Sequence, residues 1–108
     1  MLQANELEQR FTLIGHSIGQ ASQACSVERN IPSELRICIQ KLDKQSDLAM
    51  EVLRSRDEAR IRKLVDDLAL LGHRARQVCI NGANLMPQTK EAVKWMHDEL
   101  SRLKHQLH

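Results

Sequence analysis

The chain has 108 residues, of which 42% are hydrophobic, 28% are charged and only two, Phe11 and Trp95, are aromatic. This length and composition predict a single soluble domain over residues 1–108, not a multidomain enzyme, with a core of aliphatic side chains. Sixteen basic residues against fourteen acidic ones give a net charge of +2, too small for a general attraction to nucleic acid or anionic lipid.

The first element is a helix over residues 4–29. Leu7, Phe11, Ile14, Ile18, Ala21 and Cys25 recur at intervals of four and three, which places them on one helical face. Asn30, Ile31 and Pro32 end it. A second helix is predicted over residues 33–54, with Leu35, Cys38, Ile39, Leu42, Ala49 and Leu53 inward. Ser55 and Glu58 then read as a capping box that opens a third helix. That helix has the broadest apolar arc: Ile61, Leu64, Val65, Leu68, Leu71, Ala75 and Val78. Asn81 and Gly82 offer a left-handed stop. Pro87 suits the first turn of a fourth helix, which carries Val93, Met96, Leu100, Leu103 and Leu107.

No segment alternates with a period of two, so the fold class is all-α. Short connections force successive helices to run antiparallel, and the predicted architecture is an up-down-up-down four-helix bundle. The runner-up is a helical hairpin that completes its bundle by dimerising.

Cys25, Cys38 and Cys79 stand singly, with neither a disulfide framework nor zinc-ligand spacing. They read as reduced, buried thiols. The uncharged run at residues 11–27 is interrupted by polar side chains and does not read as a membrane span. Glu6 and Glu8 stand where a signal peptide needs basic residues, so a cytoplasmic location is expected.

Catalysis requires converging titratable groups, and none of the motifs that announce them is present: no phosphate-cradling glycine loop, no metalloprotease pair, no nucleophile elbow. No enzymatic activity, cofactor or metal is therefore predicted. His105 and His108 have metal-ligand spacing at the end of the chain, where a solvated reading is favoured. His73 is the most informative histidine. Lys63, Asp66, Asp67, Leu70, His73, Arg74 and Gln77 share the face opposite the core, so His73 is expected to be exposed, with Arg76 three residues on.

An exposed histidine in a bundle helix with a basic residue at that offset is similar to histidine phosphotransfer domains in this local spacing alone. The resemblance implies a phosphotransfer role for His73, supported by Arg76. The sequence departs from that pattern at Gln77, where those domains favour a small residue, and in the offsets of Gly72 and Gly82.

The first helix holds the least ordinary feature. Residues 11–27 carry no charged side chain on any face. Beside the apolar row lies a row of small residues, Gly15, Gly19, Ser22 and Ser26. Each interior glycine costs about 1 kcal/mol relative to alanine, and close approach of another helix is a compensation. The alternative is packing within the chain's own bundle. The absence of charge favours an interface, with His16 and Gln20 at its edge. Trp95, offset from the heptad row, reads as a flank residue capping the core or as an anchor for a partner.

The basic concentration lies in residues 54–76, with Arg54, Arg56, Arg60, Arg62, Lys63, Arg74 and Arg76 against four carboxylates. It lacks interleaved aromatics and a helix-turn-helix pattern, which makes nucleic-acid binding the third-ranked function. The leading expectation is a non-enzymatic protein-protein interaction or regulatory module that self-associates, as a homodimer, and presents a helix face to a protein partner. Phosphotransfer through His73 ranks second.

Overall fold

The computed structural model describes residues 3–82 and 84–107, and these contain five α-helices and no strand. The helices are α1 (Ala4–Ser26), α2 (Ser33–Asp47), α3 (Ala49–Ser55), α4 (Glu58–Asn81) and α5 (Pro87–Leu107). The Cα radius of gyration is 13.7 Å, near the value of about 13 Å for a compact chain of this length. Helix α1 packs against α2 and α5, and α4 packs against the same two helices from the other side, so these four enclose one core. Helix α3 lies against both α1 and α4.

The heptad rows account for most of that core. All six apolar residues predicted to line the first helix are buried, as are all five of the last. On α4, Val78 is only half-buried and Cys79 takes the inner position beside it. Two buried hydroxyls are satisfied locally or across the bundle: Ser17 Oγ donates to the Ile14 carbonyl at 2.8 Å, and Thr89 Oγ1 donates to the Glu28 carboxylate at 2.7 Å.

Three local expectations are corrected. The predicted second helix is divided at Leu48, whose backbone N–H turns back to the Gln45 and Ser46 carbonyls, so five helices replace four. Ser46 and Asp47, residue types that disfavour a helix interior, precede the break. The break also reorients the segment beyond it, so that Val52 is buried and Leu53 only half-buried. Second, Ser55 closes α3 instead of opening α4. Its hydroxyl donates to the Val52 carbonyl at 2.6 Å, and Arg56 follows in the left-handed conformation with φ 55°. The cap of α4 is Asp57, whose carboxylate accepts from Ala59 N at 3.0 Å and Arg60 N at 3.3 Å. A charged acceptor at this position satisfies free N–H groups and also complements the positive end of the helix dipole. Third, Gly82 is extended, with φ −88° and ψ 109°, and stops α4 without a left-handed turn.

Glycine matters most at Gly72. A Cβ there would lie 2.8 Å from Leu100 Cδ1 and 3.8 Å from His97 Cα. The bare backbone lets α4 and α5 approach closely where Leu100 fills the core.

The end of α1 is tied to the start of α5 by Glu28. Its Oε1 accepts from Met86 N at 2.7 Å as well as from Thr89 Oγ1, and it sits at the positive end of the α5 dipole. Replacing Glu28 by alanine leaves the inward-facing Thr89 hydroxyl without this acceptor and is expected to cost about 2 kcal/mol. Glu28→Gln, which keeps an acceptor oxygen, is expected to lose less. Urea midpoints of the two variants against the parent chain measure both.

Candidate functional site

Beyond its first turns, where Glu6, Glu8 and Gln9 are exposed, the outward face of α1 and its C-cap is formed by Thr12, Leu13, His16, Gly19, Gln20, Gln23 and Val27, all exposed. None carries a formal charge with the histidine neutral. The outward faces of the neighbouring helices differ: α2 exposes Glu34, Lys41, Asp43 and Lys44, and α5 exposes Lys90, Glu91, Lys94, Asp98 and Arg102. Leu13 and Val27 retain 44% and 59% of their accessible surface, which places an exposed apolar residue near each end of the face.

The row of small residues divides between two environments. Gly15 and Ser22 are half-buried on the flank toward α2, where a Cβ on Gly15 would come within 3.9 Å of Ser46 Oγ. Gly19 and Ser26 are exposed, and a Cβ on Gly19 would have nothing within 4 Å beyond its own helix and chain neighbours. Packing inside the chain therefore gives no reason for a glycine at position 19. His16 and Gln20 lie on the exposed face beside it. Trp95 is half-buried, on the flank of α5 opposite the one that carries His97 and Ser101.

His73 is exposed, as its position on the outer face of α4 requires. It borders an open groove of about 350 Å³ whose lining includes Glu34, Arg74, Gln77 and Asn81. Its ring centroid lies 5.9 Å from that of His97 on α5. Arg76, three residues on, is directed toward α5: Nη1 donates to Asp98 Oδ1 at 3.3 Å and lies 3.5 Å from His97 Nδ1. His97 Nδ1 is 3.3 Å from the same carboxylate oxygen, and its Nε2 is 3.4 Å from Ser101 Oγ. This cluster of His97, Asp98 and Ser101 around Arg76 was not legible in the sequence, because Arg76 on α4 meets the other three on α5 only in the folded packing of the two helices.

The basic residues of 54–76 do not form a uniform cationic surface. Glu58 pairs with Arg62 at 4.0 Å, Asp67 with Lys63 at 3.2 Å, and Asp98 with Arg76. Among the described residues, no group of three or more histidine, cysteine or acidic side chains could hold a metal ion. His105 is exposed, and its pairing with His108 falls outside the described residues. No helix among them is long and apolar enough to cross a membrane.

The three cysteines are free and buried. Burial is the main cause that raises the Cys25 and Cys79 thiols to about 11, with Glu28 adding to the effect at both. Cys38 is raised as well, by burial first and then by Glu34. Such thiols are weak nucleophiles at neutral pH.

No protein-family model, curated protein or solved structure matches this chain.

The thiol shifts have a consequence for stability. An unfolded cysteine ionises near about 8.5, whereas Cys25 and Cys79 in the folded chain hold their protons to about 11. Between these values the folded state binds more protons than the unfolded state, so this contribution to stability falls as pH rises. The urea midpoint is expected to be lower at pH 10 than at pH 8, and replacement of both thiols by alanine is expected to reduce that difference.

Proposed function

We propose that this protein is a non-enzymatic interaction module that self-associates through the outer face of α1. Its scaffold is read as an up-down-up-down four-helix bundle whose second arm is split at Leu48 into α2 and α3. The observation that carries the reading is the exposed, charge-free surface of Thr12, Leu13, His16, Gly19, Gln20, Gln23 and Val27. A helix face left to solvent ordinarily carries charges, and depletion of charge is the compositional signature of an interface centre. Gly19 adds to this support. Its cost to the helix has no return within the chain, whereas a covering helix could approach its backbone closely.

Trp95, half-buried and offset from the core row, is the next candidate to extend the contact. A cytoplasmic setting accords with three unpaired thiols. The phosphotransfer alternative draws support from the exposure of His73, but its supporting cation, Arg76, is already paired with Asp98. A phosphoryl group on His73 would have to compete with that carboxylate. The nucleic-acid alternative is weakened by the carboxylates that pair with basic residues on α4.

Sedimentation equilibrium tests the proposal. The chain is expected to be dimeric at high micromolar concentration, and Gly19→Arg is expected to weaken the dimer at least tenfold while preserving the helical circular dichroism spectrum. A wild-type chain that remains monomeric refutes self-association. A dimer unaffected by Gly19→Arg moves the contact away from α1.

A further inference from the structure

Asparagine carries a latent reaction with its own backbone, in which the main-chain nitrogen of the next residue attacks the side-chain carbonyl carbon. The side chain of that next residue crowds the approach, a β-branched one most of all. Asn5 precedes Glu6, Asn30 precedes Ile31, Asn84 precedes Leu85, and Asn81 precedes Gly82. All four asparagines are exposed, so access to water does not distinguish them. Only at Asn81 is the attacking nitrogen free of a neighbouring side chain.

The structure adds a gate to this chemistry. Asn81 is the last residue of α4, and the Gly82 nitrogen still belongs to the helix ladder, its N–H donating to the Val78 carbonyl at 2.8 Å. While that bond holds, Asn81 keeps helical backbone angles, and ring closure requires it to leave them. The last turn of α4 contains no basic residue and Gly82 is extended, so neither of two common locks on a helix C-terminus is present. Such an end opens without unfolding the rest. A Cβ at position 82 would lie 3.0 Å from the Val78 oxygen, so the glycine also suits the local packing. The bare residue that packing favours is the one that leaves its nitrogen open to attack.

We propose that Asn81 with Gly82 is a self-modifying site, at which opening of the last turn of α4 lets the asparagine convert to aspartate and isoaspartate without an enzyme. The Gly82 nitrogen gives up its proton to water or hydroxide and bonds to Asn81 Cγ. Nδ2 takes up a proton and leaves as ammonia, which closes a five-membered succinimide. Water then opens the ring at either carbonyl, giving aspartate or isoaspartate; one water is consumed, one ammonia is released, and nothing is oxidised or reduced.

Either product acts back on the helix. A carboxylate at position 81 stands at the negative end of the α4 dipole and is unfavourable there. Isoaspartate also routes the main chain through the former side chain, so the Gly82 N–H loses its register with the Val78 carbonyl. The new charge enters the open groove that Asn81 lines together with Glu34, His73 and Arg74. The modification thus alters the surface beside His73 and weakens the turn that restrained it.

Peptide mapping by mass spectrometry, after prolonged incubation of the whole chain at pH 8, tests the site. Conversion at Asn81 is expected to exceed that at Asn5, Asn30 or Asn84 at least tenfold, with isoaspartate among the products. Asn81→Gln, a change at an exposed position, is expected to abolish the new acid there and to keep the helical circular dichroism spectrum. Equal conversion at all four asparagines, or none at Asn81, overturns the proposal. The same incubation in guanidinium chloride tests the gate, and the rate at Asn81 is expected to rise at least fivefold when the chain is unfolded. A rate that is the same in the folded and unfolded chains overturns the gating by α4 and leaves the reactive pair itself standing.

Discussion

A bundle in which each helix merely follows its neighbour has no intrinsic reason to bring its last helix back to its first. Here the carboxylate of Glu28 supplies one. It lies just past the end of α1, where it accepts the Met86 backbone N–H at the entry to α5 and the Thr89 hydroxyl one turn inside. The first-turn N–H groups of a helix lack partners within it, and an anion placed there satisfies them and meets the positive end of the dipole. Along the same pair of helices, the row Val93, Met96, Leu100, Leu103 and Leu107 lies in the common core. Gly72 then permits the same helix to seat closely on α4. A polar contact made far apart in sequence thus pins one end of an interface that the apolar rows of α1 and α5 hold along its length.

Helix α1 presents two unlike faces in one stretch of sequence. Its inner row supplies the core, and its outer row avoids charge over four turns. The two glycines on that helix differ accordingly. Gly15 sits beside α2, and Gly19 faces open space. Gly72 on α4 shows what a packing glycine looks like, since a Cβ there would collide with Leu100. Position 19 shows no such collision, so packing within the chain does not require a glycine there.

The inner rows were legible because a helix face repeats every three to four residues and apolar side chains reveal it directly. Local competition between nearby polar groups was harder to read. Ser55 and Asp57 are both good capping residues two positions apart, and the charged one prevailed once Arg56 adopted a left-handed conformation. The division at Leu48 was hidden for a similar reason: the apolar spacing runs through it without a proline or glycine. At the candidate site, the lack of charge in residues 11–27 was evident. The exposed row from Leu13 to Val27 has the same spacing, but its polar middle gives no apolar signal. His97 and Asp98 carry no sequence signal of their own, and their meeting with Arg76 is a product of tertiary packing.

The break at Leu48 gives the molecule an uneven distribution of cohesion. Helix α3 has seven residues and buries only Ala49 and Val52 of its own side chains, too little to hold so short a helix independently. It is bounded by a bend on one side and by a left-handed arginine on the other. Regions with few buried contacts open without unfolding the remainder. Amide hydrogens of residues 49–55 should therefore exchange with solvent through a local excursion, while those of α1, α4 and α5 wait for global unfolding. The exposed Arg54 and Arg56 at the edge of that segment would make it the first place where a trypsin-like protease cuts the native chain.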